Sequence, residues 1–392
     1  MNKRMFSGLA ASAAVVLTLT ACAGSSLSTE EPEANDDDGP IKVGFIVPKT
    51  GVYAAIGTDL ERAVEVYLDE HDDQIGGRDV ELVTIDEGAT AEVGIAAAQR
   101  LIQSEGVDVV TGVINSATAA AIAPMFQDAQ IPVLSTANVE GNDYWWRVGW
   151  TNPAINQSMV DYLLETHKED PLYLIAADYK QGHDIVEAIK TGFEAGGGTV
   201  VDTAFTPFGS TQDFQPYLAK ISDSEAAVTY AFYAGGEAIN FVKQYDQFGL
   251  SADIPLYANQ GLTEGVIGAQ GESAEGIITN GTYSSAVESE LNQAFVDAYE
   301  GAFDATPSVY SEAQYASFVV IAEALETADG DSLQEAIEGL GDIVSPRGTW
   351  HFDDGRAPTQ VIYLRLATEE NGVMINKIID EIGQYSSDGE LQ

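Results

Sequence analysis

The sequence predicts an α/β protein with two parallel-rich sheets, each flanked by helices. Three observations lead there. Short apolar runs bounded by turn residues alternate with amphipathic stretches of about 10–15 residues, the pattern of βαβ units. That alternation breaks once, at residues 144–150, and then starts afresh. After a non-globular start roughly 350 residues remain, enough for two domains of ordinary size.

The first alternation opens at residues 42–47, an apolar run continuous enough for a strand buried on both faces. A loop carrying Gly and Tyr follows at 48–57, then an amphipathic helix at 58–72. Residues 80–85 and 92–104 repeat the strand and the helix. The third strand is 109–114. It runs into Asn115-Ser116-Ala117-Thr118, a cluster of cap-forming side chains ahead of an alanine-rich helix at 119–128. Residues 131–134 make the fourth strand, and Ser135-Thr136-Ala137-Asn138 a polar loop beyond it. Two strand ends thus bring hydroxyls and unsatisfied N–H groups to one rim, and one of them opens a helix. Such a rim suits a carboxylate or another small anion.

Three of the four tryptophans, Trp145, Trp146 and Trp150, mark the break, and Trp145 and Trp146 read as packing at a junction. The second alternation predicts helices at 154–167, 184–195, 214–222 and 237–248, and strands at 172–176, 200–203, 227–230 and 254–257. Residues 276–280 lead onward to two helices, 291–303 and 309–328, with no strand between them. Strand-like pieces at 349–352 and 359–365 end the pattern.

The N-terminus sets the compartment. Lys3 and Arg4 precede an apolar run at 5–19, too short to span a membrane and laid out as a secretory signal. Leu19-Thr20-Ala21-Cys22 resembles a bacterial lipobox, which implies that Cys22 is acylated and becomes the mature N-terminus. Cys22 is the one cysteine of the chain, so no disulfide or paired metal site accounts for it. Residues 23–40 are rich in Ser, Glu and Asp and read as a flexible tether spanning roughly 20–25 Å. The protein is expected to be exported and lipid-anchored to the outer face of the cytoplasmic membrane.

The formal net charge is −45, and it is −47 once Lys3 and Arg4 leave with the signal. A body so acidic is a poor partner for nucleic acid or anionic lipid. Catalytic chemistry is mostly missing. His71, His167, His183 and His351 share no metal-ligand spacing, and no phosphate loop, dinucleotide fingerprint or nucleophile elbow occurs. Asp86-Glu87 is an adjacent acid pair of the kind that is ordinarily solvated. No enzyme, cofactor or metal site is expected. What recurs is a type of strand end: Gly51 to Tyr53, Asn115-Ser116, Thr136 to Asn138, Asp178 to Gly182, Tyr233 to Gly236 and Asn259 to Gly261 all present small, polar or aromatic groups. Ligands of open α/β sheets bind outside such strand ends. Two facing sheets would make a cleft lined from both sides.

Several stretches resemble the leucine/isoleucine/valine-type solute-binding proteins of ABC importers: IKVGFIVPKTGVYAAIGTDLERAVEVYLDE, residues 108–138, AADYKQGHDIVEAIKTGF, VTYAFYAGGEAINFVKQYDQFGL and AEGIITNGTY. The ordered set covers nearly the whole chain from residue 41. The resemblance implies a two-lobed type I periplasmic-binding fold with three interlobe crossovers. Lobe one would be 41–150 with 283–344, and lobe two 151–282 with 345–385. It also implies a monomeric receptor that closes on a small-molecule solute and works with ABC permease and ATPase subunits.

By position, Ser116 resembles the residue that holds an α-carboxylate, and Ala137 and Asn138 fall near the second contact loop. Tyr53 and Ile56 lie where side-chain specificity is set, and Tyr233 lies in the loop that closes over the ligand. Gln260 stands where branched-chain amino-acid binders carry an acid for the ammonium group, and Gln181 where they often carry an aromatic. Asp178 is then a candidate partner for the amine. Two ligand classes stay open: an α-amino acid, or a carboxylate or amide solute without the amine. A ligand-sensing or enzymatic lipoprotein on the same fold is the alternative from another class.

Overall fold

The computed structural model describes residues 39–392 except 52, 138, 140, 329 and 331. The signal segment, Cys22, most of the tether and Asn138 lie outside the described residues.

The first sheet is built from β1 (Ile41–Val47), β2 (Gln74–Ile75), β3 (Arg78–Asp86), β4 (Val109–Gly112), β5 (Val133–Ser135) and β6 (Trp145–Arg147). Its order is β2-β3-β1-β4-β5-β6, parallel throughout except at β2. Helices α1 (Ala54–Glu70), α2 (Ala91–Arg100) and α3 (Ser116–Ala129) make the crossovers. β1 sits between β3 and β4 and six of its seven residues are buried, which is why its apolar run does not alternate. β6 is an addition to the sequence reading. Trp145 and Trp146 are fully buried as the sheet's last strand, paired parallel to β5, rather than packed at a junction.

The second sheet begins after α4 (Asn152–His167), with β7 (Leu172–Asp178), α5 (Lys180–Ala195), β8 (Val200–Pro207), α6 (Gln215–Asp223), β9 (Val228–Phe232), α7 (Gly235–Gln247), β10 (Leu256–Asn259), the short α8 (Ile267–Gln270) and β11 (Ile278–Gly281). Next come α9 (Glu290–Phe303), α10 (Val309–Thr327) and α11 (Leu333–Glu338), then β12 (Ile343–Ser345), β13 (Gly348–Phe352), β14 (Pro358–Glu370) and β15 (Val373–Tyr385). The order is β12-β13-β14-β11-β10-β9-β7-β8, and β15 also pairs with β14, antiparallel. β15 escaped sequence reading because Lys377, Asp380 and Glu381 interrupt its apolar residues, as suits an edge strand.

Phe295 of α9, together with Tyr315, Phe318 and Ile321 of α10, shares one core with Ile41, Val43 and Tyr67 under the first sheet. The two helices therefore return to the first sheet. Ile343 and Trp350 of the β12–β13 hairpin join the same core although β13 pairs with β14. The second sheet has separate cores on its two faces, one around Phe241 and one around Leu174.

A buried ion pair ties α10 to the turn between β12 and β13. Arg347 Nε lies 2.7 Å from Glu312 Oε2, and the two side chains are 2% and 0% exposed. Arg347 Nη1 also donates to Gly149 O at 2.9 Å and Gln360 Oε1 at 2.8 Å, while Gln360 Nε2 donates to Gly149 O at 2.9 Å. Gly149, α10 and β14, far apart in sequence, thus meet at this one guanidinium. Burying such a pair costs desolvation, so its use here is positional rather than a net gain in stability.

Candidate functional site

At the first sheet's rim the backbone turns tightly after β4. Gly112 has φ +93°, and a Cβ there would lie 2.2 Å from Ile46 O, so glycine is required. Val113 follows at φ +59°, a strained conformation for a β-branched residue. The turn aims Ile114 N–H and Asn115 N–H at Glu87, whose carboxylate accepts both at 3.0 and 2.9 Å. Glu87 is fully buried, so the expectation of a solvated acid pair is wrong for it. Burial pushes its pKa up, against the lowering effect of those two N–H groups. Asp86 faces the other way. It accepts from Lys49 N, Gly88 N and Thr50 Oγ1 at 2.8–2.9 Å and so shapes the loop before α1.

Asn115 is the N-cap of α3, its Oδ1 accepting from Ala117 N at 2.9 Å and Thr118 N at 3.4 Å. Ser116 is the first helical residue and is exposed. Among the described residues, no group engages its N–H or hydroxyl. Ala137 is buried, and its N–H donates to Ser135 Oγ at 3.0 Å. The uncommitted donors at this rim therefore belong to Ser116. Tyr53 is the residue before α1, and its partly buried phenol is pushed up in pKa by burial and then by Glu87. Ile56 lies in the first turn of α1 and packs against the first core.

On the second sheet's rim the helix after β7 begins at Lys180, four residues earlier than the sequence suggested. Gln181 is therefore helical rather than in a loop. Asp178 Oδ1 lies 2.7 Å from His183 Nε2, a pair exposed to solvent. Tyr233 does not line a cleft: it is 1% exposed, packs on Phe214 and Phe241, and accepts from Thr206 Oγ1 at 3.2 Å. Gln260 is also buried. Its Oε1 accepts from Thr282 N at 3.0 Å, and its Nε2 has no partner among the described residues.

Five residues outside the candidate site residues drawn from sequence join the two rims. Tyr179, just after β7, and Tyr310, in the first turn of α10, lie within electrostatic reach of each other and of Tyr53. Trp150 packs edge-on against Tyr310, with ring centroids 5.3 Å apart. Glu264, from the segment after β10, reaches α10 of the other sheet and accepts from Val309 N at 3.0 Å, while pairing with the buried Arg365. Asp59 of α1 accepts from Ser308 Oγ at 2.6 Å, and its pKa is raised by burial and, to a lesser degree, by Glu264. Glu264 stands four residues from Gln260, so the acid is present but displaced from where it was sought.

A crevice of about 810 Å³ runs alongside, lined by Asp59, Arg62, Thr263, Glu264 and the 370–376 turn between β14 and β15. It contains none of the candidates named from sequence. No cluster of three or more His, Asp or Glu groups among the described residues could hold a metal ion. Among them, too, no helix is long and apolar enough to cross a membrane.

A model of the periplasmic binding protein family matches residues 40–371. The chain is 31% identical over 391 residues to the Leu/Ile/Val-binding protein homolog 6 of Brucella melitensis, with 95% of this chain and 98% of that one covered. An ABC transporter substrate-binding protein from Sphaerobacter thermophilus superposes with a TM-score of 0.82 at 30% identity, covering 89% of this chain and 99% of that one. An ABC transporter solute-binding protein from R. palustris, solved in complex with benzoate, superposes with a TM-score of 0.78 at 27% identity, covering 89% and 98%. The chain belongs to the periplasmic binding protein family, and it is an ABC-transporter substrate-binding protein of the Leu/Ile/Val-binding type rather than an enzyme.

Proposed function

We propose that this protein captures a small carboxylate-bearing solute between its two sheets and delivers it to the permease and ATPase subunits of an importer. It does so as a monomer, tethered to the outer face of the cytoplasmic membrane through acylated Cys22. The observation that carries the reading is the uncommitted N–H and hydroxyl of Ser116 at the start of α3. A helix N-terminus with free donors stabilises an anion through both hydrogen bonds and the helix dipole. Tyr53 stands just before α1, and Gln181 in the first turn of α5.

The body of the solute meets Tyr53, Tyr179, Tyr310 and Trp150, which favours an aromatic or bulky apolar group. The benzoate carried by one relative has that character and lacks an amine. The nearby carboxylates are already engaged: Glu87 by two N–H groups, Glu264 by Arg365, Asp178 by His183. A solute without an ammonium group therefore fits best. The amino-acid reading has one specific support, Glu264, which borders the same space as Tyr310 and would pair an ammonium if Arg365 were shared. Calorimetry with benzoate, leucine and 4-methylpentanoate separates the two. The account expects benzoate or 4-methylpentanoate to bind more tightly than leucine. Tight leucine binding that is lost in Glu264→Gln would establish the amino-acid reading instead.

A further inference from the structure

Glu87 is a carboxylate shut away from solvent at the rim that carries Ser116. It is the first residue beyond β3, and its own N–H donates to Val47 O at 2.9 Å, which fixes its backbone at the end of β1. Its side chain reaches the turn after β4 and accepts Ile114 N–H at 3.0 Å and Asn115 N–H at 2.9 Å. Ser116 is the next residue, about 3.8 Å along the chain. A solute anion on Ser116 and the carboxylate of Glu87 therefore address successive N–H groups of one turn. Two negative charges so placed, one of them in a dry site, repel each other.

The surrounding groups do not offset that repulsion. Asp86 is the neighbouring residue, and the Tyr53 phenol comes from the loop before α1; neither is a cation. Lys49, beyond β1, is paired with Glu61 at 2.7 Å. α2 carries Glu92 in its first turn, exposed to solvent, while α3 and the turn before it bring the uncharged Ile114, Asn115 and Thr118. A proton on Glu87 removes the repulsion, and burial already favours the protonated form. The Thr118 hydroxyl beside it is buried and has no hydrogen-bond partner among the described residues. Thr118 is held there by α2, since a Cβ on Gly94 would lie 2.1 Å from Thr118 Cγ2. A hydroxyl both donates and accepts, so it answers the carboxylate and the acid alike.

We propose that Glu87 is a positioning residue that takes up a proton from the medium when a carboxylate binds at Ser116, so that solute and proton are captured together. No bond of the solute is made or broken. This deepens, and rests on, the carboxylate reading above. By linkage the solute raises the proton affinity of Glu87, and the proton raises the affinity for the solute by the same factor. Affinity therefore rises as pH falls, about tenfold for a coupling of about one pH unit. The test is calorimetry of the full mature chain with benzoate and with leucine, in buffers of different ionisation enthalpy from about pH 5.5 to pH 8, which counts the protons taken up per solute bound. The parent should take up a proton with the probe it binds, and infrared difference spectra should show a protonated carboxyl gained on binding. Glu87→Gln should lose the uptake and flatten the pH dependence, whereas Asp86→Asn should keep both. Binding by the parent with no proton taken up at any pH overturns this inference and leaves the carboxylate reading standing. Uptake that survives in Glu87→Gln overturns it as well. Should Glu87→Gln fail to fold, the parent's infrared band decides, and its absence overturns the inference. If the parent binds neither probe, the carboxylate reading falls and this inference falls with it.

Discussion

Glu87 accepts the backbone N–H of Asn115 at 2.9 Å, so a carboxylate of the chain itself occupies part of the rim that reads as an anion site. Ile114 N–H is taken in the same way at 3.0 Å, which leaves Ser116 as the donor a solute can reach. An anion held by Ser116 would therefore lie beside a buried acid. The protonation of Glu87 then becomes relevant to both stability and binding.

Glu87 should make stability pH-dependent in a defined direction. Its folded pKa is raised above the ordinary 4.5, chiefly by burial. A group raised in this way contributes stability that is fully present below the unfolded value and is lost as pH rises through the folded one. The stability of the parent relative to Glu87→Gln, followed by urea unfolding, should therefore be greatest at acid pH and shrink toward neutrality. A difference that grew with pH would contradict the assignment.

Ser116→Ala should weaken binding of the cognate solute by roughly tenfold to a hundredfold, the loss of one charge-assisted hydrogen bond of about 1.5–3 kcal/mol. Binding should not vanish, because the backbone N–H and the helix dipole survive. Titration calorimetry reads this directly. An unchanged affinity would place the anion elsewhere.

Val309→Pro isolates the bridge from Glu264 to α10. Proline is well accepted at the first helical position, and Ser308 before it is already extended, with ψ 173°. The substitution therefore removes the N–H that Glu264 accepts while keeping the helical backbone, at the cost of part of the buried Val309 side chain, so Val309→Ala serves as the packing control. The ligand-free protein should show a larger radius of gyration in X-ray scattering, and the solute should bind roughly threefold to tenfold more weakly. Identical scattering and affinity would mean that this contact has no part in closure.

Cys22→Ala should release the protein from the membrane fraction or leave its signal segment uncleaved. Fractionation and intact-mass measurement decide it. Normal cleavage with unchanged membrane association would rule out the lipid anchor.

Much of the architecture was legible because buried parallel strands such as β1 and β4 are continuous apolar runs with turn residues at their ends. The edge strand β15 was not legible, since half-exposed residues carry no clean period. The position of Ser116 at a strand-to-helix turn was legible, and it is the first residue of α3. Tyr233 misled for the opposite reason: it also follows a strand end, but its side chain turns inward to Phe241, and sequence does not tell which way a ring points. Tyr310 was hidden because the first turn of α10 reads simply as helix. Glu264 lay four residues beyond the position searched, and a buried arginine some hundred residues away decides how it is used.

The central claim is that the cleft holds a carboxylate. Mass spectrometry of the small molecules released when protein purified from its native host is denatured tests this most directly. The account predicts one dominant solute, near one per chain, that carries a carboxylate and an apolar or aromatic body. A sugar, a polyamine or another solute without a carboxylate, recovered at the same ratio, would contradict it.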